Sequence, residues 1–187
     1  FVREPAELQN GLLTGKAMDN RASLAVVILC LQYLQQLRCQ WDVYAVATAD
    51  EEWSNYMGAR TQAYAIHPDV SLVLDVTFAD VEENNIKLNG GPSLTTGPSN
   101  HPVLYQQLVQ MCQNLEMKYQ TEVLSGGAGT DAYGVEISRS GIPTLLISTP
   151  CRNMHSPVEI IHPRDVERAA RLIAHFIAGL DENFVAK

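Results

Sequence analysis

The sequence contains no C-x-x-C pair. Its cysteines, Cys30, Cys39, Cys112 and Cys151, stand far apart, so neither a zinc knuckle nor a thiol redox motif is spelled out. Cys30 and Cys112 fall inside apolar helical patterns and read as buried free thiols, which suits a reducing cytoplasm better than secretion. Positive charge is scarce as well: 13 Lys and Arg against 21 Asp and Glu leave a net charge of −8, too weak a positive field for a nucleic-acid partner. The longest apolar run, Leu24 to Leu31, is far short of the roughly 20 residues that span a bilayer, and no signal-peptide pattern opens the chain, so no membrane partner is expected. No repeat, low-complexity tract or internal linker is visible. Nor is there an obvious second metal-ligating His. His67 before Pro68, His101 before a helix, His162 in a Pro-flanked turn and His175 on the last helix all read as structural or solvent-facing.

What is there is an ordinary globular composition. With 46% hydrophobic and 18% charged residues, a chain of 187 residues can fill one domain, residues 1–187, with a sizeable core. It opens on Phe1 and enters organised sequence almost at once, so it reads as an excerpt of a longer protein. Dense apolar recurrence from Arg21 to Leu37, with Asn20 able to cap the start, predicts a largely buried helix. Trp41 to Ala49 is β-branched and apolar and predicts an interior strand ending at Asp50-Glu51-Glu52. A helix over Gly58 to Ile66 and a buried strand over Val70 to Leu74, ending at Asp75, follow. Asn84 to Pro102 is rich in turn residues and reads as loop, with a short strand near Ile86 to Leu88. Pro102 to Glu116 has helical spacing after a proline suited to a first turn, and a strand spans Gln120 to Leu124. The turn Ser125 to Asp131 leads into a helix to about Ser140, Pro143 to Ser148 is an apolar strand, and Asp165 to Leu180 is an amphipathic helix. Alternating helices and buried strands predict a layered α/β/α fold whose ligands bind at the carboxyl ends of the strands. Glu51, Glu52, Asp75 and His155 are expected at such ends.

These acids and this imidazole suit a two-metal hydrolase site. Two divalent ions roughly 3.5 to 4 Å apart share a water, lower its pKa and polarise a carbonyl, and carboxylates and imidazoles must hold them. Asp19, just before a helix N-terminus, is placed to bridge the ions, Glu52 and His155 complete one ion's shell, and Asp75 serves the other. Glu51 points away from Glu52 on extended backbone and is free to act on the bridging water. Each position taken singly also has an ordinary reading: Asp19 as a helix cap, Asp75 as a turn residue, His155 as a loop histidine, and Glu51-Glu52 as a solvated pair like Glu82-Glu83.

The ordered set changes that balance. Gly15-Lys-Ala-Met-Asp-Asn-Arg21, Ala49-Asp-Glu-Glu52 with Gly58-Ala-Arg60, Leu74-Asp-Val-Thr77, Tyr119-Gln-Thr-Glu122 with Gly129-Thr-Asp-Ala132, Gly141-Ile-Pro-Thr144, and Arg152-Asn-Met-His-Ser-Pro157 with Glu159 and Asp165-Val166 span nearly the whole chain. In this order they resemble the tetrahedral (glutamyl/deblocking) aminopeptidase family of dinuclear metallopeptidases. The resemblance implies a zinc-exopeptidase-type mixed sheet, truncated at its N-terminus. It implies zinc or cobalt as the two metal ions and removal of N-terminal residues from peptides. Asp19 would bridge, Glu52 and His155 would hold one ion and Asp75 the other, Glu51 would be the general base, and Asp131 would line the substrate pocket. It also implies homo-oligomeric assembly, and an upstream His-x-Asp segment and small β domain preceding Phe1. Asn20 stands where the family commonly has Asp, the interval from Glu52 to Gly58 is one residue longer, and Asn153-Met154 replaces an aromatic-aliphatic pair. The proposed ligand set is untouched by these departures. A noncatalytic oligomer-forming subunit with a vestigial metal site is the alternative from another class, and a related carboxypeptidase or deacylase would use similar ligands.

Overall fold

The computed structural model describes residues 4–53, 55–82 and 84–184. A mixed seven-stranded sheet carries helices on both faces. Its strands are β1 (Ala6–Glu7), β2 (Leu13–Gly15), β3 (Ser71–Phe78), β4 (Ser93–Thr96), β5 (Gln120–Val123), β6 (Thr144–Arg152) and β7 (Glu159–Ile161). The helices are α1 (Met18–Leu34), α2 (Met57–Ile66), α3 (Pro102–Asn114), α4 (Asp131–Glu136) and α5 (Pro163–Gly179). The order β1-β2-β7-β6-β4-β5 runs through β6, which also pairs with β3 along nearly its whole length. The pairs β3/β6 and β4/β5 are parallel, and the remaining ones are antiparallel.

The layering follows from the two-residue period of strand side chains. Leu72, Leu74 and Val76 of β3, with Leu145 and Ile147 of β6, join the main apolar cluster beneath α1, α3 and α5. Val73 of β3 and Leu146 of β6 point the other way, into small clusters formed with α2 and α4 through Ala59, Ala63, Ala132 and Val135. The amphipathic α5 buries Val166, Ala169, Leu172, Ile173 and Phe176. Its first turn is tied down by Asp165, whose fully buried carboxylate accepts from the main-chain N–H groups of Asn89 (2.6 Å) and Gly91 (2.8 Å) and from Arg168 (3.2 Å).

Several expectations change. Trp41 to Ala49 forms no strand: it has neither a helical turn nor a ladder partner among the described residues, and Tyr44 is well exposed. Its β-branched composition is not enough without a neighbour to pair with. Strand β3 does not stop before Asp75 but runs to Phe78, because Val76 to Phe78 keep pairing with Thr149 to Cys151. Asp75 is therefore within a strand. Helix α1 is buried on one face only, with Leu24 47% and Ile28 50% exposed. The segment from Asn84 to Pro102 holds a strand at Ser93–Thr96 instead of Ile86 to Leu88, α4 ends at Glu136, and β6 extends through Pro150 to Arg152. All four cysteines are free; Cys39 is exposed and the others are buried.

Candidate metal centre

The site forms where the start of α1, the loop after Ala49, the interior of β3 and the turn after β6 converge. Asp19 and Asn20 lie at the head of α1 with non-helical backbone, joined by a cis peptide bond. Regular helix begins after them, where the Asn20 side chain accepts from Ser23 N–H (3.3 Å), an N-cap that leaves Asp19 outside the helical turn. His155 follows β6 in a tight turn with φ of 64°. Its Nε2 lies 3.2 Å from Asp19 Oδ2 and 3.8 Å from Glu52 Oε2.

One ligand atom from each of Asp19, Glu52 and His155 falls within 4.8 Å of the others. A tetrahedral ion with bonds of about 2.0 Å spaces its ligand atoms by roughly 3.3 Å, so small side-chain rotations close this set around a cation. Imidazole with carboxylates is the donor chemistry of zinc and similar divalent metals. Among the described residues Asp75 is not part of that trio, although Asp19, Glu51 and Asp131 all act on it electrostatically.

Charge in the site is one-sided. Burial, reinforced by Glu52, Asp131 and Asp19 and opposed by His155, lifts Glu51 to about 7. Burial also lifts Asp75 to about 8, against the N–H of Val76 donating to its Oδ1 at 2.8 Å. Asp19 and Asp131 are raised too, both chiefly by burial, and Asp131 is opposed by a hydrogen bond from Thr48. Crowded carboxylates around one imidazole suit the holding of cations.

One residue of this site was visible in the sequence only as part of a motif. Glu159, at the head of β7 and 3% exposed, accepts from the main-chain N–H of Asp19 through Oε2 (3.1 Å) and from that of His155 through Oε1 (2.9 Å). A single buried carboxylate thus fixes the backbones of two candidate ligands that lie far apart in sequence. The spacing His155-x-x-x-Glu159 is the one sequence signal for it.

Solved structures that share this architecture include aminopeptidases. The TET aminopeptidase of the marine sediment archaeon Thaumarchaeota archaeon SCGC AB-539-E09 superposes with a TM-score of 0.88 at 33% identity, over 95% of this chain and 52% of that one. The aminopeptidase of Desulfurococcus kamchatkensis gives 0.85 at 36% identity, over 96% and 52%. In sequence, the lysyl aminopeptidase of Pyrococcus furiosus is 35% identical over 159 residues, 83% of this chain and 45% of that protein. At the level of fold alone, at 22% identity and a TM-score of 0.81 over 96% of this chain and 54% of that one, it also matches a Pyrococcus horikoshii TET1 peptidase that can assemble into a tetrahedron or a large octahedral shell. The M42 glutamyl aminopeptidase profile matches residues 1–172, and the chain belongs to that family. The chain spans about half the length of the curated relatives it matches.

Proposed function

We propose that residues 1–187 are a catalytic domain, or the larger part of one, of a metal-dependent aminopeptidase that removes N-terminal residues from peptides. The observation that carries this reading is the Asp19, Glu52 and His155 trio, with Glu51 beside it at about 7. Asp19, Glu52 and His155 would hold one ion, and Asp19 with Asp75 would serve a second; zinc and cobalt both suit such donors. When bound, a divalent ion supplies an acidified water and polarises the scissile carbonyl. The protein's own contribution is positional and protolytic. Glu51, the neighbour of a ligand in sequence but not itself in the trio, accepts a proton from the attacking water and delivers it to the leaving amine. A carboxyl poised near neutrality does both well. Asp131 lies in the same acidic wall and would border the bound peptide. Family members that form large shells make homo-oligomeric assembly the expectation for this protein as well.

The test is Glu51→Gln in the protein extended to its relatives' length. Hydrolysis of aminoacyl nitroanilides should drop about 10²- to 10⁴-fold while metal content per chain stays unchanged. Full activity in that variant removes Glu51 from the base role. The noncatalytic reading draws on one observation, that among the described residues Asp75 has no complete ligand group of its own. Elemental analysis showing no bound metal after dialysis against trace zinc would favour it.

A further inference from the structure

Glu159 fixes where the main chain of His155 lies, but not how its ring is turned. The torsion that turns an imidazole joins a tetrahedral carbon to a planar one, so its wells are broad and the backbone sets it poorly. The ring plane decides where Nε2 points, and with it whether His155, Asp19 and Glu52 can face one ion. Metal-binding histidines are ordinarily steadied by an acceptor on the second ring N–H. Among the described residues no carboxylate or carbonyl takes that part for Nδ1. The polar contacts of His155 are Glu159 at its main-chain N–H, and Asp19 and Glu52 at Nε2.

What the ring does meet is Phe78. The two ring centroids are 6.1 Å apart and the planes lie at 82°, an edge-to-face contact inside the usual range of about 4.5–7 Å. Phe78 is the last residue of β3, and the two-residue period puts it on the α1 side of the sheet with Leu74 and Val76. Its main chain is pinned. It pairs with Cys151 of β6, the Asn84 side chain donates to its carbonyl (2.8 Å), and Ala79 N–H donates to Cys151 O (2.9 Å). One residue further, Asp80 pairs with Arg152, where β6 ends and the turn to His155 starts. The two rings are thus carried by the ends of neighbouring strands, a firm base for holding one against the other. Phe78 stays 44% exposed, so filling the core does not account for its place.

We propose that Phe78 is a positioning residue of the metal centre: its ring blocks rotation of the His155 imidazole and keeps Nε2 directed at the space shared with Asp19 and Glu52. The inference rests on the metal-binding reading of that trio, and it gives Phe78 no contact with the ion or the scissile bond. A flat ring is what the task needs. An edge-to-face contact favours one angle between two planes, whereas an aliphatic side chain of similar bulk fills space without favouring any. Leucine at this position keeps the apolar bulk and loses the orientation, and tyrosine keeps both.

Zinc binding by the full chain tests it, with affinity measured by competition with a chromophoric chelator in Phe78→Leu and Phe78→Tyr. Affinity should fall about tenfold or more in Phe78→Leu, the scale on which outer partners of a metal ligand act. It should stay within about twofold in Phe78→Tyr, which restores the ring. Because Phe78 is half out of the core, the metal-free Tm of both variants should match that of the unaltered chain. Undiminished affinity in Phe78→Leu overturns the inference and leaves the trio standing, as does an equal loss in both variants. A Tm that falls together with the affinity makes Phe78 a structural residue and overturns it too. An unaltered chain that binds no zinc overturns the metal reading, and this inference with it.

Discussion

At the scale of single residues, the candidate site separates ligands from the groups that aim them. Asp19, Glu52 and His155 stood out as candidate ligands because they fall in an ordered series of short motifs. Glu159 was legible only as a member of that series and not for its role, because an acid four residues after a histidine reads like any turn residue until β7 pairs with β2 and brings it under the start of α1. Its two oxygens are both committed to N–H groups, so Glu159→Gln replaces one acceptor by a donor facing a donor. Outer partners of this kind change metal affinity by about 10- to 100-fold. Zinc affinity of Glu159→Gln, measured by competition with a chromophoric chelator, should fall by about tenfold or more; unchanged affinity would leave Glu159 a purely structural residue.

The same residues set a pH dependence. Asp75 at about 8 and Glu51 at about 7 hold protons more tightly folded than at their ordinary values of 3.8 and 4.5. Between about pH 4 and 8 the folded chain therefore keeps protons that the unfolded chain has released, and this contribution to stability is lost as pH rises through the folded values. Calorimetry of the chelator-treated chain should give a higher Tm at pH 5 than at pH 8, with zinc restoring Tm at pH 8. A metal-free Tm that climbs from pH 5 to 8 would contradict the assignment of the acidic wall.

At the scale of elements, helices were the readable part. The 3.6-residue period located α2, α3 and α5 to within a few residues, since each buries one stripe on the sheet. Of the strands, β3, β6 and the short β5 at Gln120–Val123 were readable. The two- and three-residue strands β1, β2 and β7 are too short to show a period, and they owe their existence to pairing. Trp41 to Ala49 is the converse case, strand-like in composition but without a ladder partner among the described residues, because propensity reports a side chain's fit to a sheet and not the presence of one. Asp165 shows how elements are joined. Asp165→Ala would orphan the N–H groups of Asn89 and Gly91 and leave Arg168 without its carboxylate. Leaving one buried and one partly buried donor unpaired should cost roughly 2–4 kcal/mol, readable as a shifted urea midpoint.

For the whole molecule, alternation of helix and strand was enough to foretell an α/β/α arrangement, but not that β6 would sit among β3, β4 and β7 with both parallel and antiparallel neighbours. Chain order is local information, whereas sheet order depends on contacts between distant segments. The two faces of the sheet are also unequally filled. Under α1, α3 and α5 lies a continuous core of large side chains, and under α2 and α4 lie two small patches built mostly from alanine and valine. Less apolar contact means a lower local opening free energy. In native-state hydrogen exchange, amides of α2 should open at lower denaturant than those of α5. The molecule would then come apart in two cooperative steps, with the thin layer beside Glu51 and Asp131 peeling away first, so that competence for chemistry is lost while most of the protein is still folded.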